Sequence, residues 1–123
     1  MNAPIRVLLA DDHSLVRKGF RRMLEDDPEI EVVGEAASGP AAVDAALELK
    51  PDVIVMDLAM PELDGIQAAS EILKRLPAAG ILMLSMYSEE AYVRNAFAAG
   101  VRGYLLKNAL EVDLPYAIKE VAA

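Results

Sequence analysis

Asp11-Asp12, Asp57 and Ser85 each stand where an apolar run stops, and Lys107 where a last strand ends. The runs are Ile5–Ala10, Val53–Met56 and Gly80–Leu84, the last strand is Val101–Leu106, and the run before Asp57 reads as a buried strand reaching the surface. After Asp57 comes the Pro- and Gly-punctuated loop Leu58-Ala59-Met60-Pro61-Glu62-Leu63-Asp64-Gly65. In open parallel sheets the carboxyl ends of the strands are where ligands bind, so these tips are places for chemistry. Alone, Asp57 reads equally well as a loop residue capping the helix after Pro61. Together, the tips would bring three carboxylates into one place, where they repel unless a cation shares the site. A hard divalent ion such as Mg²⁺ suits them, because it accepts a few carboxylates and keeps some waters. Asp57 can then attack phosphorus, since carboxylates form aspartyl-phosphate intermediates. Lys107 would balance charge on the transferred group and the Ser85 hydroxyl would donate to one of its oxygens. No residue of the set serves as a general base for a Ser or Thr nucleophile, so phosphoryl transfer to a carboxylate fits best.

The segments between the tips must position them. From Ser14 to about Asp26, Val16, Phe20, Met23 and Leu24 recur at helical spacing, with Arg17, Lys18, Arg21 and Arg22 on another side. Ile30–Ala37, with Glu31 and Glu35 among apolar residues, reads as an edge strand. Gly39-Pro40 opens a helix over Ala41 to about Leu49, closed by Lys50-Pro51. Asp64 or Gly65 starts another, whose stripe Ile66, Ala69, Ile72, Leu73 and Leu76 stops at Pro77. Ser88 is the expected N-cap of the next, with Glu89 and Glu90 in its first turn and Gly100 at its C-terminal cap. Leu110 to Val121 forms the last, with Leu110, Leu114, Ile118 and Val121 in step and Pro115 tolerated early. About five βα units in succession predict a doubly wound α/β fold in one domain, with helices on both faces of a parallel sheet. The continuous apolar runs place the first, third and fourth strands at its centre.

Composition limits the alternatives. The 123 residues, 54% hydrophobic, suit a single core. No apolar run approaches the roughly 20 residues that span a bilayer, and no signal-peptide pattern precedes Asp11, so a cytoplasmic location without membrane contact is expected. The absence of cysteine excludes a disulfide framework and thiol chemistry. A net charge of −8 argues against nucleic-acid binding by this domain, because phosphate contacts need a basic face.

The segments LLADDHSLVR, VIVMDLAMPELDG, ILMLS and GYLLK, in that order and spacing, resemble a response-regulator receiver domain of two-component signalling over nearly the whole chain. Their wording is most similar to the NarL/FixJ subfamily, whose members carry a LuxR-type helix-turn-helix output domain. The resemblance implies the (βα)5 flavodoxin-like, CheY-like fold. It implies that Asp57 is the phospho-acceptor, that Asp11, Asp12, Asp57 and the Ala59 backbone carbonyl hold Mg²⁺, that Ser85 is the switch hydroxyl and that Tyr104 is the aromatic switch. Lys107 takes the place of the family's lysine. The implied donor is a sensor histidine kinase, and the implied response is a remodelled surface around the fourth helix, fifth strand and fifth helix, with possible homodimerisation. Transcription control would then lie in an output domain outside this chain, which reads either as a stand-alone regulator or as an excised N-terminal receiver, the second favoured because the resembled subfamily is mostly two-domain. Asn108 follows Lys107 where many receivers have a cis proline. Ala59 and Tyr87 fall where family members tune water access to the phosphoryl group, and a small Ala and a large Tyr pull in opposite directions.

Competing readings fare less well. A degenerate receiver acting as a constitutive interaction module would not need Asp11, Asp12, Asp57, Ser85 and Lys107 intact. A haloacid-dehalogenase-like phosphatase needs an acid/base Asp two residues after its nucleophile, where Ala59 stands. A flavodoxin-like FMN binder needs a Ser/Thr/Gly-rich phosphate loop where Asp12-His13-Ser14-Leu15 stands. The chemistry is self-modification with slow self-hydrolysis, so the chain is not read as an enzyme. His13, directly after two carboxylates, offers a ligand or phospho-acceptor reading, but a first-turn surface histidine is the preferred one. The Arg17, Lys18, Arg21, Arg22 group reads as a solvated face or a dock for an acidic partner. Met56, Met60, Met83 and Met86 read as packing. Without the family resemblance, Tyr104 does too.

Overall fold

The computed structural model of the chain describes residues 3–86, 88–107 and 110–123. Ten elements alternate: β1 (Ile5–Ala10), α1 (Ser14–Glu25), β2 (Ile30–Ala36), α2 (Gly39–Leu49), β3 (Val53–Asp57), α3 (Gly65–Arg75), β4 (Gly80–Ser85), α4 (Glu90–Ala98), β5 (Gly103–Leu106) and α5 (Leu110–Ala122). The strands form one parallel sheet in the order β2-β1-β3-β4-β5. The doubly wound fold, the β2 edge and the central β1, β3 and β4 are as the apolar runs predict.

Each sheet face carries its own core. Val7, Leu9, Val53, Val55, Leu82 and Leu84 pack with Leu24 of α1 and with Leu114, Ile118 and Val121 of α5. Leu8, Ile54, Met56, Ile81 and Met83 pack with Ala42 and Ala46 of α2, Ala68, Ala69 and Ile72 of α3, and Ala96 of α4. Strand residues alternate between faces, so runs apolar at every position must be covered on both.

Several local expectations shift. Val16 is half exposed and Leu15 almost fully so, because the first turn of α1 begins beyond the tip of β1 and overhangs the sheet. Ser88 does not cap α4: the Glu89 carbonyl takes the first helical bonds, from Tyr92 and Val93, which moves the start one residue on. Gly39-Pro40 opens α2 as expected, and Ser38 caps it, its side chain accepting from the Ala41 N–H. β5 starts at Gly103, with Val101 buried ahead of it and the Arg102 N–H donating to the Ile81 carbonyl. α5 runs through Pro115. The Leu110 side chain, Tyr87 and Asn108 lie outside the described residues.

Two local devices aim the strand tips. β2 carries a bulge: Val7 pairs with Val32 but Leu8 pairs with Gly34, so Val33 is the extra residue. The bulge inverts the facing of the residues after it and puts Glu35 on the α1 side. The second lies after β3, where the Leu63 N–H reaches the Pro61 carbonyl at 2.8 Å across Glu62, whose φ is 71°. This three-residue turn puts a non-glycine residue in the left-handed region, a local strain of order 1 kcal/mol or more. Beyond it, Asp64 and Gln67 form a reciprocal capping box that starts α3. Gly65 presses directly on β3: its N–H donates to the Leu58 carbonyl at 2.8 Å, and a Cβ there would collide with the Asp57 carbonyl oxygen. Gly65→Ala is therefore expected to destabilise the domain by about 1–3 kcal/mol, as overpacking against backbone does. Urea denaturation compares it with wild type, and equal stability would contradict the contact.

Candidate functional site

β1 and β3 are neighbours, while the chain leaves β1 toward β2 on one side and β3 toward β4 on the other. Their carboxyl ends therefore open the crevice where such sheets bind ligands. Asp11 follows β1 and Asp57 ends β3, and both side chains are only 3% exposed. Asp12 stands at the rim, its side chain 32% exposed. Carboxylate oxygens of Asp11, Asp12 and Asp57 and a ring nitrogen of His13 all lie within 4.8 Å of one another.

Lys107 enters from the end of β5. Its Nζ donates to Asp57 Oδ2 at 3.0 Å and to Asp11 Oδ2 at 3.4 Å. The Ala59 N–H donates to Asp57 Oδ1 at 3.4 Å. The His13 N–H donates to Asp11 Oδ1 at 2.9 Å, and the Arg17 Nη1 donates to the Asp11 carbonyl at 2.6 Å. Ser85 is fully buried at the tip of β4, one residue beyond Leu84, which pairs with Asp57. Tyr104 lies three residues before Lys107 on β5, opposite Met83, and packs partly buried against the α2–α3–α4 core. It stands outside the acidic cluster.

The electrostatics follow from this crowding. Burial, first, and then the Asp11 charge push the Asp57 carboxyl above its ordinary value, against the opposing pull of Lys107 and the Ala59 N–H. Burial works against the Lys107 charge as well, but the hydrogen bond and charge of Asp57, with Asp11 adding, leave its pKa raised. Three carboxylates against one ammonium leave an excess of negative charge in a pocket lined with oxygen donors. That donor set fits a hard divalent cation such as Mg²⁺, which needs a few carboxylates and tolerates water in its remaining positions.

The structure thus brings together Asp11, Asp12, Asp57 and Lys107, and it places the Ala59 backbone beside them. Two neighbours fall outside the predicted site set. His13 is a surface residue, 68% exposed, but its Nδ1 lies 3.2 Å from Asp12 Oδ1 and 3.5 Å from Asp11 Oδ1. Its position directly after the acid pair was the available signal. Arg17 belongs to neither a solvated nor a partner-facing cluster: it and Arg21 are both engaged by Glu35 across the α1–β2 interface. No local pattern could reveal this, because the pairing spans 18 residues and depends on the β2 bulge.

A carboxyl whose folded pKa lies above its unfolded value weakens the fold wherever it is ionised. In Mg²⁺-free buffer, Asp57→Asn is therefore expected to raise the melting temperature at neutral pH. The gain should shrink as pH falls through the raised folded value and vanish below the ordinary 3.8. Thermal denaturation at neutral and acid pH reads this directly, and a variant less stable than wild type at neutral pH would contradict it.

Comparison with known proteins places this geometry in context. The response regulator receiver domain profile matches residues 7–119. The response regulator protein VraR of Staphylococcus aureus is 44% identical over 118 residues, covering 96% of this chain and 56% of VraR. The chain thus spans about half the length of the curated relatives it matches. Among solved structures, the signal receiver domain of a NarL response regulator from Mycobacterium tuberculosis superposes with a TM-score of 0.94 at 34% identity, covering 98% of each chain. A LuxR-family two-component response regulator from Aurantimonas sp. SI85-9A1 superposes with a TM-score of 0.93 at 38% identity, covering 98% of this chain and 86% of the other.

Proposed function

The chain belongs to the response regulator receiver domain family, and from that premise we propose that it accepts a phosphoryl group on Asp57 from the phosphohistidine of a sensor histidine kinase. The observation that carries this reading is the convergence of Asp11, Asp12, Asp57 and Lys107 on one buried pocket at the tips of β1, β3 and β5. A carboxylate oxygen of Asp57 forms the new bond to phosphorus as the phosphorus–nitrogen bond of the donor breaks. Asp11, Asp12, Asp57 and the Ala59 carbonyl are the residues that would hold Mg²⁺, which supplies charge neutralisation for the attacking carboxylate and the incoming oxygens.

The chain's other groups position and compensate. Lys107, now shared between Asp57 and Asp11, follows charge onto the phosphoryl oxygens. The Ala59 N–H and the strained turn at Glu62 keep the loop close to Asp57. Ser85 is the switch hydroxyl and Tyr104 the aromatic that follows it, coupling the pocket to α4, β5 and α5. Exposed Tyr92 and Phe97 on α4 and Tyr116 on α5 give that side apolar area for association, including a homodimer formed on phosphorylation. The domain acts as a switch with slow self-hydrolysis. A DNA-binding helix-turn-helix outside residues 1–123 then converts the change into transcription control. This division of labour agrees with the −8 charge and with the partial coverage of VraR. Among the described residues, no helix is long and apolar enough to cross a membrane.

Intact mass after incubation with Mg²⁺ and acetyl phosphate tests the chemistry. One added phosphoryl is expected, absent with EDTA and absent in Asp57→Ala. No gain under any condition would overturn the acceptor reading and leave a constitutive interaction module. Lys107→Met should slow the reaction by about a hundredfold, the usual cost of removing one fixed donor to developing charge. A stopped-flow or quenched time course at saturating Mg²⁺ measures that ratio.

A further inference from the structure

The Arg17 guanidinium bridges two elements. Its Nη1 donates to the Asp11 carbonyl at 2.6 Å, and its Nε donates to Glu35 Oε1 at 2.7 Å. Arg21 Nη1 holds the other Glu35 oxygen at 2.5 Å. The Asp11 carbonyl belongs to the peptide joining Asp11 to Asp12, so whatever fixes it orients both carboxylates. The N–H of Asp11 is held in turn by the Ala36 carbonyl at 3.0 Å, and Ala36 adjoins Glu35 on β2. The turn carrying the acid pair is therefore tied to the edge strand on both sides of Asp11.

We propose that Arg17, braced by Glu35, is a positioning residue for the divalent-cation site, holding the Asp11–Asp12 peptide so that both carboxylates face Asp57. The inference rests on the Mg²⁺-dependent reading above. Three features point to a site built for this purpose. The bulge at Val33 puts Glu35 on the α1 side, whereas regular alternation from Val32 would have sent it toward α2. Gly34, which takes the α2 side instead, has no side chain, and a Cβ there would come within 2.6 Å of Leu49 Cδ1. Glu35 also occupies the guanidinium, so this cation beside three carboxylates is kept off Asp12. Groups that orient metal ligands in this way typically matter to affinity almost as much as the ligands themselves.

Charge alone predicts the opposite sign. A cation this close to the site repels Mg²⁺, so if Arg17 were only a neighbouring charge, removing it would tighten binding. Arg17→Met keeps the apolar stem and removes both the charge and the fork. It is expected to weaken Mg²⁺ binding by about tenfold, read as the dissociation constant from amide chemical shifts during a Mg²⁺ titration. Arg21→Met removes an equal charge from the same Glu35 without touching Asp11, and should change that constant by no more than about twofold. Arg17→Lys retains the charge but cannot fork, so it should weaken binding as Arg17→Met does; it serves as the second variant should Arg17→Met fail to fold. Urea denaturation of each variant separates affinity from stability. Binding by either Arg17 variant as tight as wild type, or tighter, overturns the clamp while leaving the acceptor reading intact. Wild type failing to bind Mg²⁺ at all would overturn both.

Discussion

Three carboxylates held around a single ammonium are the constraint on which this molecule turns. Asp11 and Asp57 are buried almost completely, and the Lys107 ammonium is shared between them. Burying like charges side by side is costly, and the raised pKa of Asp57 is the trace of that cost. The arrangement persists because the groups are delivered by backbone that cannot easily withdraw them. Asp57 ends a strand whose residues are all buried, and Asp11 follows one with a fully buried tip. Repulsion within the pocket is thus stored against two hydrophobic cores, and a divalent cation or an added phosphoryl group changes its balance.

The scaffold around the pocket shows the same economy. Loop and helix on the β3 side are pressed against Asp57 by a residue with no side chain, Gly65, and by a turn that forces Glu62 into the left-handed region. On the β1 side, hydrogen bonds fix the Asp11 amide, carbonyl and carboxylate separately, from Ala36, Arg17 and His13. The α4–β5 side is less tightly built: β5 is only partly buried along its length, and aromatic side chains on α4 and α5 stay exposed. The acid pocket and this more exposed flank sit next to each other, with Ser85 and Tyr104 on the adjacent strands β4 and β5.

Much of this was legible from residue order. Apolar runs that ended in Asp11-Asp12, Asp57 and Ser85 indicated β1, β3 and β4 and their burial on both faces, and with Lys107 at the end of the last strand they indicated the edge at which the polar ends lie, because a parallel sheet aligns every carboxyl terminus on one side. The helix stripe of α3, and Leu114, Ile118 and Val121 of the α5 stripe, read correctly for the same reason, since a helix that covers a sheet must repeat its apolar residues every three to four positions. Boundaries read less well. Ser88 looked like a cap because its type is right, yet caps are decided by which carbonyl takes the first helical bond, and that was Glu89. Val16 fitted the stripe of α1 but overhangs the sheet, which periodicity alone cannot register.

Tertiary structure alone decided how the pocket is held. Arg17 and Arg21 of α1 looked like part of a solvated face or a partner dock until Glu35 arrived from a strand whose facing a single extra residue had inverted, while Lys18 and Arg22 stay exposed. A bulge leaves no signature in composition or spacing, because it is a mismatch between two chains of hydrogen bonds and belongs to neither strand by itself. The same holds for the Lys107 contacts, which cross 50 and 96 residues of sequence to reach Asp57 and Asp11. Which chemical groups exist, and at which edge, follows from local pattern and the geometry of parallel strands. How far apart they stand, and what braces them, depends on register and packing between distant segments, which only the folded chain sets.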